Sequence, residues 1–210
     1  MQPVNRSVQL LARIAGAFYL VNIVAGAFAI GYVSSVAPTI QANETLFRAG
    51  IAAHLIVTLT NPPLTMIFYE LFKVVNRRLA LLAAFFSLVA TGVEGAGLFV
   101  QVEHPVVRAY DVYTAFFGFD LMTIGYLVYR SSFLPRAIGV LLLVDGVSYL
   151  VYSFVDILVP GLAAHLVPWI QLPILAGEGS LTVWLLVSGV NAARWTERAG
   201  VSSTSLAPVS

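Results

Sequence analysis

Glu94 lies within a long apolar stretch of the chain, Leu79–Val100, and has no lysine or arginine near it in sequence. A stretch of this length can cross a bilayer. A carboxyl group inside it is costly unless it is protonated, hydrated or paired. Glycines at positions 92, 95 and 97 remove side-chain bulk around it, so that another helix or a ligand can come close. Glu94 is therefore predicted either to form a hydrogen bond with another helix or to act as a functional acid.

Polar side chains recur at helical spacing in the other apolar stretches. From His54 to Thr65, for example, polar residues follow one another at intervals of four, three and four, which places them on one face of a helix. We take three acids as candidate catalytic groups, namely Glu94, Asp120 and Glu178. The residues predicted to line a substrate pocket beside them are His54, Asn61, Tyr113, Phe117, Asp145, Tyr149 and Tyr152.

This set of side chains suits acid-initiated chemistry on a hydrophobic substrate. Burial and neighbouring carboxylates both disfavour the charged form of a carboxyl group, so some of these acids are expected to be neutral and able to donate a proton. Aromatic rings can face a cation that forms during the reaction. Cyclisation or isomerisation of a prenyl or other lipid-like substrate is an example. Glu94 is the favoured acid, and Glu178 or Asp120 is expected to tune its acidity.

Two other functions remain open on the same residues. Carboxyl groups inside a membrane are typical proton sites, which favours a small proton-coupled transporter. Alternatively, the protein is a non-catalytic accessory or sensor protein, and the acids only join its helices. In each case membrane lipids are partners, and a homo-oligomer is compatible with the sequence.

Several classes of site lack their residue patterns. The chain has no cysteine, which excludes disulfides, thiolate metal sites and cysteine nucleophiles. Its histidines, His54, His104 and His165, are scattered rather than spaced as metal ligands, so no metal or cofactor is expected. No Gly-x-Ser-x-Gly motif indicates a serine nucleophile. No basic patch indicates nucleic-acid binding.

The composition is that of an integral membrane protein. Of the 210 residues, 59% are hydrophobic and 10% are charged, whereas a soluble domain carries about a quarter charged residues. The mean hydropathy is +0.89. We predict an all-α bundle of six transmembrane helices in a single domain, 1–198, followed by a disordered cytoplasmic tail, 199–210. The predicted segments are Leu11–Val33, Ala49–Phe72, Leu79–Gln101, Ala109–Tyr129, Ala137–Ile157 and Leu172–Ala193.

The distribution of positive charge predicts the orientation. Of the Lys and Arg residues, only Arg48 and Arg108 fall on one side of the predicted membrane. The others, all on the opposite side, are Arg6, Arg13, Lys73, Arg77, Arg78, Arg130, Arg136, Arg194 and Arg198. Cytoplasmic loops carry the excess of Lys and Arg, so both termini are predicted to be cytoplasmic.

Position along each predicted segment gives each polar residue a depth. Glu94, Glu178 and His54 are predicted in the outer half, and Asp120 and Asn22 near the middle. Asp145 is predicted to be deeply buried and somewhat nearer the cytoplasm, and Asp156 close to the outer surface. If the polar faces of the helices converge, they form an acidic, aromatic-lined cavity that opens to the outside.

Several short stretches resemble one family of bacterial membrane proteins. They are Asn43–Arg48 (NETLFR), Leu71–Ala83 (LFKVVNRRLALLA), Val93–Glu94, Leu134–Gly139 (LPRAIG), Gly177–Glu178 and Trp184–Val187 (WLLV). Together they span almost the whole chain and resemble the family catalogued as domain of unknown function 4386. The resemblance implies a multi-helix inner-membrane protein and no particular activity. The small membrane-embedded terpene cyclases are similar in size and in their intramembrane acids, an analogy without a shared motif.

Overall fold

The computed structural model describes residues 3–33, 42–103 and 112–204, and within these ranges all regular structure is helical. Helix α1 continues directly into a short π-helix, and the other helices follow along the chain. The elements are α1 Pro3–Gly26, the π-helix Ala27–Val33, α2 Glu44–Glu103, α3 Tyr113–Arg130, α4 Arg136–Leu158, α5 Pro160–Val187 and α6 Ala192–Thr204. Helix α6 thus includes the start of the predicted tail, residues 199–204, while 205–210 lie outside the described residues.

The helices form a membrane bundle. The stretches that are long and apolar enough to cross a bilayer are Arg6–Val33, Glu44–Glu103, Arg136–Leu158 and Trp169–Val187. Many of their large apolar side chains point outward and are exposed, as lipid-facing residues are. These features confirm the predicted all-α integral membrane protein.

Helix α2 is divided at Asn76, which has an extended backbone (φ −158°, ψ 106°). The Asn76 side-chain oxygen accepts hydrogen bonds from the backbone N–H groups of Arg78 and Leu79, both at 3.1 Å, and so caps the start of the second arm. Contacts such as Thr65 with Ser87 show that the two arms, 44–75 and 77–103, run antiparallel. In place of the loop predicted between the second and third segments, the structure has a break in the helix at Asn76 alone.

The end of the bundle near Asn76 also holds the short connections 131–135 and 188–191, and we call it the basic end because most Lys and Arg residues lie there. The last connection and the start of α6 form hydrogen bonds with three other parts of the chain. Gln9 exchanges hydrogen bonds with the backbone of Val190, and the Asn191 N–H donates to the Phe133 carbonyl. The Trp195 indole donates to the Leu71 carbonyl at 2.9 Å. Residues 190–195, the C-terminal clasp, thus join α1, α2 and the connection between α3 and α4 to the segment that follows α5, all at the basic end.

The boundaries of the last spanning helix differ from the prediction. Helix α4, Arg136–Leu158, agrees with the predicted fifth segment, but α5 begins at Pro160 and ends at Val187 instead of covering Leu172–Ala193. A proline is favourable at the first position of a helix because it has no N–H to leave unpaired. The predicted loop between these segments is thereby reduced to Val159.

Helices α3 and α4 pack backbone against backbone through glycines. A Cβ atom added to Gly118 would lie 2.8 Å from the Gly146 carbonyl oxygen, and one added to Gly125 would lie 2.9 Å from the Gly139 carbonyl oxygen. Such close approach needs small residues on both helices. It brings α3 and α4 together where they carry Asp120 and Asp145.

Candidate functional site

The predicted acid Glu94 has a partner on the other arm of α2. His54 Nε2 lies 2.6 Å from Glu94 Oε1, and the side chains are 14% and 4% exposed. The edge of the Tyr113 ring from α3 faces the His54 ring, with 6.4 Å between the ring centroids. Three of the predicted site residues, His54, Glu94 and Tyr113, are therefore together, in the half of the bundle away from the basic end.

A second group surrounds Glu178 on α5. The Tyr149 hydroxyl of α4 donates a hydrogen bond of 3.0 Å to Glu178 Oε1. Tyr19 of α1 also interacts with this carboxyl group. Phe117 of α3 packs its ring edge against Tyr149, at 5.4 Å between centroids. Four helices thus contribute to one buried polar cluster.

Asp145 of α4 belongs to the same cluster and is 0% exposed, which confirms its predicted deep burial. It packs on Gly177, where an added Cβ would lie 2.6 Å from Asp145 Oδ2. The Glu178 backbone is close enough to influence this carboxyl group. Neither of its oxygens, however, forms a hydrogen bond with a described residue.

Glu178 lies level with Asp145, because Asp145 packs on the neighbouring Gly177. Sequence spacing placed Glu178 in the outer half and Asp145 nearer the cytoplasm. The difference arises because α5 ends at Val187 rather than at the predicted Ala193, which brings Glu178 closer to the basic end. Asp156, predicted close to the outer surface, lies near the end of α4 at Leu158 and is 2% exposed.

Asp120 occupies the middle of the bundle, as predicted, and is buried beside Ser87. Thr65 and Ser87 share a hydrogen bond of 2.7 Å that joins the two arms of α2 next to it. Two cavities of about 10 and 20 Å³ adjoin Asp120. Cavities of this size hold about one water molecule each. Asp120 is therefore placed to exchange a proton through water or a hydroxyl group.

The larger cavity connects the parts of the site. Its wall includes Asn61, which accepts a 2.9 Å hydrogen bond from Asn22, and the Thr60 hydroxyl donates to Asn22 at 2.6 Å. It also includes Tyr19, which reaches Glu178 on its other side. Tyr19 was not among the predicted site residues, although its position three residues before Asn22 places both on one helical face.

The remaining predicted pocket residue, Tyr152, is half-buried on α4, and its role stays a prediction. The described interior is strongly acidic. The buried acids are Glu94, Asp120, Asp145, Asp156 and Glu178, whereas no described Lys or Arg is buried. Among the described residues no group of three or more metal-ligating side chains is placed to hold a metal ion. The interior therefore holds ionisable carboxyl groups at two levels, Glu94 at one and Asp120, Asp145 and Glu178 at the other.

Comparison with known proteins gives the family. The sequence model of a family described as "Domain of unknown function (DUF4386)" matches residues 14–108 and 98–189. The chain belongs to this family. The resemblance inferred from its short motifs is thereby confirmed, whereas the analogy with membrane terpene cyclases finds no support.

One relative is an uncharacterized protein of Archaeoglobus fulgidus. It is 23% identical over 164 residues, which cover 77% of this chain and 91% of the relative. No solved structure matches the chain. Membership of the DUF4386 family therefore agrees with the membrane bundle and assigns no reaction.

Proposed function

We propose that this DUF4386 protein is a proton-coupled carrier, in which buried carboxyl groups bind and release protons while a solute crosses the membrane. One observation carries the proposal: the buried acids lie at two levels of one bundle. Glu94 is paired with His54 in the half away from the basic end. Asp120, Asp145 and Glu178 lie together nearer the middle, where α3 packs on α4 through Gly118 and Gly146 and where Asp145 packs on Gly177. Ionisable groups inside a membrane commonly form proton relays.

Hydroxyl groups lie between these acids. Ser87, Thr91 and Glu94 share one face of the second arm of α2, and Ser87 reaches Asp120. Tyr19 then lies between the central cavity and Glu178. A proton entering at Glu94 would therefore pass hydroxyl groups and a water-sized cavity before it reached Glu178. Small movements of the helices would connect these positions in turn.

The topology proposed with this function has six membrane crossings and both termini in the cytoplasm of a bacterium. The two arms of α2 supply two crossings, and α1, α3, α4 and α5 supply one each. Helix α3 has 18 residues, which span about 27 Å, close to the thickness of the hydrocarbon core. The basic end would face the cytoplasm because most Lys and Arg residues lie there. Arg108, one of the two on the other side, lies outside the described residues.

This topology can be tested by labelling, because the natural chain has no cysteine. Ala42 and Ser188 are exposed and lie at opposite ends of the bundle. In intact cells, a membrane-impermeant maleimide should label Ala42→Cys, and it should label Ser188→Cys only after the membrane is permeabilised. The reverse pattern would contradict the orientation. Labelling of both variants from outside would contradict the five crossings that this topology places between Ala42 and Ser188.

Transport itself is tested in proteoliposomes that contain a pH-sensitive dye. With a pH gradient imposed, at least one solute from a set of cationic, anionic and neutral compounds should accelerate the decay of the gradient. The acceleration should need the protein and should be absent from protein-free liposomes. If no solute in the set has this effect, the carrier proposal loses its basis.

A second candidate is acid-initiated chemistry on a prenyl or lipid-like substrate, with Glu94 as the acid. The observation that favours it is the aromatic wall beside Asp120, formed by Tyr19, Phe68 and Phe117. The described cavities would have to open widely, because each holds about one water molecule. Mass spectrometry of molecules that co-purify with the protein, wild type beside Glu94→Gln, tests this candidate. A discrete isoprenoid that differs between the two samples would favour it.

A further inference from the structure

Asp145 differs from the buried acids whose partners are described. Glu94 contacts His54, Glu178 accepts the Tyr149 hydroxyl, and Asp120 lies beside Ser87. The Asp145 side chain is completely enclosed, and both of its oxygens are without a hydrogen bond among the described residues. Native proteins rarely leave buried polar atoms in this state, and one recognised explanation is a water or ion that completes the site.

A bare carboxylate at this position would be very costly. An unpaired charge in an apolar interior costs many kcal/mol, so it is normally neutralised by a proton, a counter-charge or a metal ion. No described Lys or Arg is buried and able to serve as that counter-charge. The described titratable groups that interact with Asp145 or Glu178 are Tyr19 on α1, Asp120 on α3 and Tyr149 on α4, and none of them carries positive charge.

The shape of the site brings a second carboxyl group to Asp145. Gly177 has no side chain, and so α5 packs directly on the Asp145 carboxyl group, with Glu178 as the next residue. The ligands available here are carboxyl and hydroxyl oxygens, from Asp145, Glu178, Tyr149 and Tyr19. Such oxygen ligands suit a proton or a hard metal cation rather than a soft metal ion such as Cu(I). A single positive charge matches the site, because Glu178 already accepts the Tyr149 hydroxyl and only Asp145 is without a described hydrogen bond.

We propose that Asp145 and Glu178 together bind one monovalent cation, a proton or a sodium ion, near the middle of the bundle between α4 and α5. The cation neutralises Asp145 and links α4 to α5. As a binding site this inference stands on the buried Asp145 oxygens, which lack a hydrogen bond among the described residues, and on the packing of Asp145 against Gly177, the residue before Glu178. As the coupling site of transport it rests on the carrier function proposed above.

The test is thermal unfolding of the purified full-length protein in sodium-free mild detergent. Scans are made across a range of pH, in KCl and in NaCl at equal ionic strength. If the cation is sodium, NaCl should raise the Tm of the wild type above its value in KCl by about 3 °C or more, a shift readily measured for a chain of this size. If the cation is a proton, the Tm should fall as the pH rises, equally in both salts, because the unfolded chain releases the proton that the native state holds.

Variants identify the site. Asp145→Asn and Glu178→Gln should each lose most of the sodium or pH dependence, while Asp156→Asn, a change at another buried acid of α4, should keep it. If wild type and both site variants respond identically to sodium and to pH, the inference is overturned. The two proposals can fail separately. If the Tm depends on the cation but no solute drives proton flux, the carrier function is contradicted. If solute-driven flux is present but the Tm shows no cation dependence that needs Asp145, this binding site is contradicted.

Discussion

Glu94→Gln should lower solute-driven proton flux in proteoliposomes by a factor of about 100 or more, the range seen when a proton-transferring side chain is removed. Glutamine has nearly the same shape as glutamate, and its amide can still form a hydrogen bond with His54. It cannot bind and release a proton at neutral pH. The variant should therefore fold and insert normally while proton transfer at this position stops.

The matched control for this change is Glu44→Gln. Glu44 is exposed on the same helix, where it pairs with Arg48, and the change makes the same substitution outside the interior. Its flux should equal that of the wild type. If Glu94→Gln also keeps wild-type flux, Glu94 lies outside the proton path. If Glu94→Gln lowers the Tm strongly and flux falls only in proportion to the folded protein, Glu94 has a structural role, as in a non-catalytic accessory or sensor protein.

Gly139→Ala should destabilise the bundle by about 1–3 kcal/mol, as overpacking of a close contact does. The added methyl group would lie 2.6 Å from the Tyr129 backbone nitrogen and 2.7 Å from the Gly125 carbonyl oxygen. Both neighbours are backbone atoms, so relief requires α3 and α4 to move apart rather than a side chain to rotate. Thermal unfolding in detergent should show a clear fall in Tm.

Gly97→Ala is the control for this second prediction. Gly97 has no neighbouring atom within 4 Å of an added Cβ. Alanine favours a helix over glycine by up to about 1 kcal/mol, so this variant should match or exceed the wild type in Tm. An equal fall in both variants would mean that glycine is needed for a reason other than close packing of α3 on α4.

The sequence predicted the main features of the bundle because they depend on local patterns. Apolar stretches and helical spacing are enough to identify an all-α membrane protein and to place Glu94, Asp120 and Asp145 in its interior. Pairing between helices depends on how they pack, which one sequence does not specify. The contact of His54 with Glu94 is of this kind, since the two residues lie 40 positions apart on different arms of α2.

The bounds of the last membrane helix show the largest difference. The predicted segment covers Leu172–Ala193, whereas α5 runs from Pro160 to Val187 and contains Pro168 and Pro173. Prolines are tolerated in membrane helices because neighbouring groups satisfy the freed backbone carbonyls. The prediction assigned Glu178, Asp145 and Tyr149 to one pocket but placed Glu178 further from the basic end than it lies in the structure.

The C-terminal clasp has a consequence for the biosynthesis of the protein. Residues 190–195 are made after all the helices that they join, so Gln9, Leu71 and Phe133 wait for their hydrogen-bond partners until translation has passed Trp195. Until then, the preceding helices can insert into the membrane, but their ends at the basic end lack these hydrogen bonds. A messenger RNA truncated before this segment would therefore yield an inserted product whose helices are not joined at the basic end, and we expect membrane proteases to degrade it.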